Sequence, residues 1–159
     1  MTMGATVHFL IALVWMFLSG NTTLGGLAIG LFASFVLMAF FSQALGCQDY
    51  VRRVKAAVAF LGIYFLQVIS SNLRLVRAVL RKDARSLRGE FMTYPIEGLS
   101  EFETLLLCQC ISLTPGTIVA GQSDDKSQLI LHAFASGSPD EIRHSLDEGL
   151  KRPILAFTR

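Results

Sequence analysis

The first formally charged side chain in this protein is Asp49. From Met1 through Gln48 there is no Lys, Arg, Asp or Glu. A domain folding in water needs charged surface long before that point, so the stretch is suited to lipid. At 159 residues the chain has room for one membrane module and one compact domain.

The charges that follow fall into two zones. Residues 49–90 hold nine cations against Asp49, Asp83 and Glu90, whereas residues 91–159 hold five cations and nine anions. A cationic belt therefore separates an apolar module from a mildly acidic one. Such a belt is attracted to an anionic membrane surface. Nucleic acid is excluded as a partner, because no basic surface extends into the acidic part. Cys47, Cys108 and Cys110 make neither an even disulfide framework nor a Cys-x-x-Cys pair, and read as buried thiols.

Three apolar segments are expected to be transmembrane helices within a module spanning residues 1–73. Residues 5–18 end at a turn-forming cluster, Ser19-Gly20-Asn21-Thr22-Thr23. At 1.5 Å per residue this segment reaches only about 21 Å, short of a hydrocarbon core of about 30 Å. A signal peptide is the alternative, but a basic leading region and a small-x-small cleavage site are lacking. Residues 24–41 carry Gly25, Gly26 and Gly30, expected to pack on another helix because small residues let helices approach closely in lipid. Ordinary tolerance of glycine in membrane helices explains them equally well.

Residues 56–73 form the third segment and run without a breaker into residues 74–90. There Arg74, Arg77, Arg81, Arg85 and Arg88 share one side of a helix, opposite Leu73, Val76, Val79 and Leu80. This predicts a cationic amphipathic helix beside the membrane, contacting lipid or a partner. A solvated face packed on the following domain is the competing account. The larger basic cluster belongs on the cytoplasmic side, which puts residues 91–159 inside the cell and, with three crossings, the N-terminus outside.

Residues 91–159 read as a small α+β domain. A strand at 91–96 precedes Ser100-Glu101-Phe102-Glu103, a capping box that opens a helix to about Ser112. That helix is apolar on more than one face, so Leu105, Leu106 and Leu107, with the turn Thr114-Pro115-Gly116, are candidates for a partner surface. Two strands, 117–122 and 128–134, flank a hairpin loop. Ser138-Pro139-Asp140-Glu141 starts a second helix with a second capping box, and residues 153–158 offer a last strand. The order β-α-β-β-α-β matches the split βαβ arrangement of ferredoxin-like domains.

Little here supports catalysis. The apolar segments hold no ionisable group at depth except His8, near one end, and such groups mark ion pathways. Gln67 and Asn72 are explained by helix–helix hydrogen bonding. Residues 112–117 lack the spacing and lysine of a phosphate loop. His132 and His144 have no evident acid partner, and Glu97, Glu101 and Glu103 suit a helix N-terminus. No catalytic, cofactor-binding or metal-ligating residue is expected.

Four runs resemble the E-type component of the multisubunit monovalent cation/proton antiporters, the Mrp (Mnh or Pha) family. They are Ser71-Asn72-Leu73-Arg74-Leu75-Val76-Arg77-Ala78-Val79-Leu80, Glu97-Gly98-Leu99-Ser100-Glu101-Phe102-Glu103-Thr104-Leu105-Leu106, Ile111-Ser112-Leu113-Thr114-Pro115-Gly116-Thr117 and Asp147-Glu148-Gly149-Leu150-Lys151-Arg152-Pro153-Ile154. Cys108 and Cys110 stand where other small or polar residues are expected. The resemblance implies a bacterial inner-membrane complex that exchanges Na⁺, or K⁺ or Li⁺, for protons. Its partners would be large multi-span subunits and membrane lipid, with self-association in a dimeric complex left open. It also implies a small accessory subunit without its own ion pathway, which needs no cofactor. The competing class is a membrane-tethered binding or regulatory module unrelated to ion transport. An enzyme, with a cleft around His132, comes third.

Overall fold

The structure is a computed structural model that describes residues 2–80, 89–134 and 138–159. Its helices are α1 (Thr2–Leu18), α2 (Leu24–Phe40), α3 (Gln48–Leu80), α4 (Glu101–Leu113), α5 (Pro139–Leu146) and α6 (Arg152–Thr158). Its strands are β1 (Gly89–Pro95), β2 (Thr117–Gln122) and β3 (Gln128–Phe134), and a π-helical turn, Asp147–Lys151, joins α5 to α6. Among the described residues, α3 is the one helix long and apolar enough to cross a membrane. The apolar helices α1 and α2 have 17 residues each, about 25 Å of rise. The chain divides into two compact units, one ending at Ala56 and the other beginning at Ala57.

The first unit is a helical hairpin with the start of α3. Gly20 takes the left-handed backbone (φ 65°) that the turn after α1 requires. Asn21 Oδ1 then accepts from the Thr23 hydroxyl, and Thr23 Oγ1 in turn accepts from Gly26 N–H, capping α2. The buried residues of α2 are Gly26, Gly30, Ser34 and Met38, spaced by four along one face. A Cβ on Gly30 would lie 2.9 Å from the Ala12 carbonyl oxygen, so α1 and α2 approach backbone to backbone there. Met38, Cys47 and Val51 close the far end of the unit.

The second unit sets a three-stranded antiparallel sheet, in the order β1-β3-β2, against helices. Because β3 lies antiparallel between β1 and β2, β1-α4-β2 is a split βαβ. One sheet face supplies Met92, Tyr94, Leu129, Leu131 and Ala133 to the core, which Leu107, Ile111, Leu146, Leu150 and Ile154 complete from the helices. From α3 come Phe60, buried in the same core, and Tyr64, whose hydroxyl donates to the Cys110 carbonyl at 3.4 Å. Both capping boxes form: Ser100 with Glu103, and Ser138 with Glu141.

Residues 153–158 are helix rather than a fourth strand, which corrects the six-element ferredoxin-like order. Leu146, Leu150 and Ile154 are all buried, and their spacing of four is helical, not strand-like. Proline at 153 would normally break such a helix, since it has no N–H for the Gly149 carbonyl. The π turn just before it, with Arg152 N–H donating to Asp147 O, absorbs the defect. An ion pair between Arg152 and Glu148 (2.7 Å) spans the same turn.

Candidate functional site

Among the described residues no group of three or more His, Cys, Asp or Glu could hold a metal. His144 is exposed on α5. His132 lies between Phe91 and Phe134, with ring centroids 4.9 and 5.6 Å away, on the open face of the sheet. Cys47, Cys108 and Cys110 are free thiols, and burial pushes the latter two up from the ordinary thiol range. The molecule therefore offers surfaces, one polar node in its first unit and one cavity in its second.

The node is His8. Its Nε2 lies 2.8 Å from the Leu31 carbonyl oxygen, which can only accept, so Nε2 donates there. Its Nδ1 lies 2.6 Å from the Tyr50 hydroxyl, which donates to it in the neutral ring. One imidazole thus ties α1 to both α2 and α3. Nothing in the sequence near His8 announces this, because Tyr50 is 42 residues away.

The surfaces are apolar. On the hairpin, Phe9, Phe17, Leu24, Phe32 and Phe40 face outward. Leu61, Phe65, Leu66 and Ile69 do so on α3. Leu105 of α4 is 60% exposed beside Phe102, whereas Leu107 is 1% exposed, part of the core and closed to any partner. Leu106 is half-buried against that core. Gly25, unlike Gly26 and Gly30, has no close neighbour in the hairpin.

The turn after α4 is closely built. Thr114 is buried, its hydroxyl donating to the Cys110 carbonyl at 2.8 Å. Gly116 adopts φ 99°, which favours glycine, and its carbonyl accepts from Phe134 N–H at 2.8 Å. Thr117 Oγ1 donates to Ile111 O at 3.1 Å. This turn, α3, the end of β3 and α5 line an open cavity of about 340 Å³, with Gln67, Ser71, Arg74, Thr114, Glu141 and Ser145 among its residues. Arg74 donates to the hydroxyls of Ser71 (2.7 Å) and Ser70 (3.3 Å), and Arg77 lies exposed one turn on. Arg81, Arg85 and Arg88 lie outside the described residues.

Two further groups hold the second unit together. Glu103 accepts from Ser100 N–H (2.7 Å), the Thr158 hydroxyl (2.7 Å) and Arg159 (3.1 Å). The Arg159 guanidinium, followed by these hydrogen bonds, holds the Glu103 carboxyl down at about 2. The Tyr94 hydroxyl donates to Asp147, and burial with that carboxylate raises the phenol well above its ordinary range.

The model of a family described as "Na+/H+ ion antiporter subunit" matches residues 8–157. That match covers both units. The chain belongs to this antiporter subunit family, as its E-type member. Relatives named as the E1 component of a Na(+)/H(+) antiporter, from Staphylococcus haemolyticus and Staphylococcus aureus, are 25% and 24% identical, each over 97% of this chain and 96% of their own. Among solved structures, a chain in "Structure of Mrp complex from Dietzia sp. DQ12-45-1b" is 26% identical (TM-score 0.50) over 65% of this chain and 96% of its own. A chain of an archaeal membrane-bound sulfane sulfur reductase shares the fold at TM-score 0.53 and 18% identity, over 96% of this chain and 99% of its own.

Proposed function

We propose that this chain is an accessory, assembly subunit of a bacterial Na⁺/H⁺ antiporter complex and carries no ion pathway of its own. One observation carries this reading: His8 is the sole His, Lys, Arg, Asp or Glu before Asp49, and both its ring nitrogens have structural partners. Proton and cation pathways through lipid need ionisable groups free to change partner or charge. A histidine that pins three helices is suited to holding shape.

In this reading α1, α2 and the exposed apolar face of α3 meet the inner membrane, and residues 91–159, which pack on α3 through Phe60 and Tyr64, lie on the cytoplasmic side. The outward aromatic residues of the hairpin meet lipid or large multi-span subunits. Leu105 and Phe102 of α4 offer a second contact, while Arg74 and Arg77 face the membrane surface or a neighbouring subunit. Self-association within a paired complex would use these same surfaces.

Deletion of the chain from its host tests the role. The expected result is a strong loss of assembled complex, read by native gel electrophoresis, together with loss of Na⁺/H⁺ exchange in membrane vesicles. A fully assembled, fully active complex without the chain overturns the assembly role. Cation/proton exchange by liposomes that contain this chain alone overturns the absence of a pathway.

A further inference from the structure

The cavity of the second unit shares Arg74 with the membrane-facing surface proposed above. Its volume, about 340 Å³, falls at the small-molecule end of ligand sites, which run from roughly 300 to 1,000 Å³. Its lining is rich in hydrogen-bonding groups: the hydroxyls of Ser71, Thr114, Thr117 and Ser145, and the amide of Gln67.

One cation and one anion complete the lining, and they do not pair. Arg74 directs its two terminal nitrogens to Ser70 and Ser71, and among the described residues no carboxylate neutralises it. Glu141 accepts from Ser138 N–H at 3.1 Å through Oε2. A guanidinium with donors to spare suits a phosphate, and a carboxylate across the same cavity suits an ammonium group. The remaining wall is apolar: Leu75, Pro115, Phe134 and Ile142. Arg74 and Leu75 lie in the last turn of the apolar stretch Gln48–Arg77, and Leu73 and Val76 beside them are exposed. A ligand carrying phosphate, amine and aliphatic tail satisfies all of these walls together.

We propose that this cavity binds the headgroup of an amine-bearing membrane phospholipid, with the phosphate on Arg74 and Ser71, the ammonium toward Glu141 and the tail along Leu75 and Phe134. The proposal rests on reading the exposed face of α3, through Leu73 and Val76, as lying in the membrane. Bound lipid would couple the folded state of the second unit to the membrane that carries it.

The test uses the purified full chain in a phosphate-free detergent, titrated calorimetrically with dihexanoyl phosphatidylethanolamine, dihexanoyl phosphatidylglycerol, glycerophosphoethanolamine and inorganic phosphate. Saturable binding of the ethanolamine lipid at one per chain is expected, with the glycerol lipid weaker. Arg74→Ala should weaken ethanolamine-lipid binding about ten-fold or more, the scale of one charge-assisted hydrogen bond. Glu141→Gln should weaken the ethanolamine lipid alone. Ser145→Leu, at an exposed position, should block the cavity while thermal unfolding stays that of the parent. Lipid affinity unchanged in Arg74→Ala and Ser145→Leu, or no saturable binding, overturns the site. Phosphate or glycerophosphoethanolamine binding as tightly as the intact lipid overturns the lipid as its source.

The underlying membrane reading has its own readout, labelling of Leu73→Cys in whole and permeabilised cells by a membrane-impermeant maleimide. Protection at that position without lipid binding leaves the span standing and the cavity proposal refuted. Free labelling with lipid binding intact does the reverse.

Discussion

The two units bury opposite kinds of side chain. Along the hairpin the interior is mostly small, with Ala12, Gly26, Gly30 and Ser34 inside beside one large residue, Met38, while Phe9, Phe17, Leu24, Phe32 and Phe40 point outward. In the α+β unit Tyr94, Leu107, Ile111, Leu131, Leu150 and Ile154 are all inside. Water drives large apolar groups inward, because their burial is what stabilises the fold. Lipid exerts no such drive, so helices there associate through close backbone approach, and large residues can face the solvent. The contrast fits the reading proposed above, with the hairpin meeting lipid and the α+β unit meeting water, and it needs no charge count.

Substitution at Gly30 should break the contrast most severely. Gly30→Leu would force a side chain against the Ala12 carbonyl, 2.9 Å from the first added carbon, with backbone and not a flexible tip in the way. Near-complete loss of the chain from assembled complex is expected by immunoblot of membranes, whereas Gly25→Ala, with only Thr23 Oγ1 nearby at 3.7 Å, should leave it unchanged. A tolerated Gly30→Leu would mean that the hairpin does not pack as described.

On the other side, Leu131→Ala should destabilise the α+β unit by about 2–5 kcal/mol, as deletions from filled cores do. Denaturant unfolding of the full chain followed by tyrosine absorbance measures this. The matching change outside, Phe32→Ala at a position 73% exposed, should cost no more than about 0.5 kcal/mol in the same detergent-solubilised chain. Equal costs at the two positions would erase the difference between the units.

A finer probe is acid. The Glu103 carboxyl is held at about 2, below its ordinary value of 4.5, by Arg159, Ser100 and Thr158. A depressed carboxylate contributes stability that is present above its unfolded-state pKa and is lost as pH falls through the folded value. The α+β unit should therefore lose stability between about pH 4.5 and 2. Glu103→Gln should flatten that slope while lowering stability at neutral pH. A slope unchanged by the substitution would remove Glu103 from the account.

A more local probe is Tyr94→Phe, which removes the hydrogen bond to Asp147 and keeps the ring. A cost of about 1–2 kcal/mol is expected by thermal unfolding, since the Asp147 carboxylate is left with one donor fewer.

Much of this architecture was legible where local chemistry decides it. Both capping boxes, the hairpin loop at residues 123–127 and the turn at residues 114–116 depend on neighbours in sequence, and each forms where the residue types require. Position 153 misled because proline reads as an interruption, although Leu146, Leu150 and Ile154 already carried a helical repeat through it. Leu107 was indistinguishable from Leu105 by composition, and only the position of the sheet decides which of them is covered. His8 looked terminal and idle because its partners, Tyr50 and Leu31, are brought to it by the hairpin. The cavity had no sequence signature at all, since α3, the turn after α4, β3 and α5 all supply its walls.

The π turn at Asp147–Lys151 sets the angular phase of everything that follows it. Rewound as an ordinary helix with all its residues kept, the segment would rotate the distal part by about 100°. Ile154 would swing off the core, and Thr158 and Arg159 would face away from Glu103. The widened loop thus works as a vernier, letting one continuous coil meet two fixed stations at once: Tyr94 through Asp147 near its middle and Glu103 at its far end.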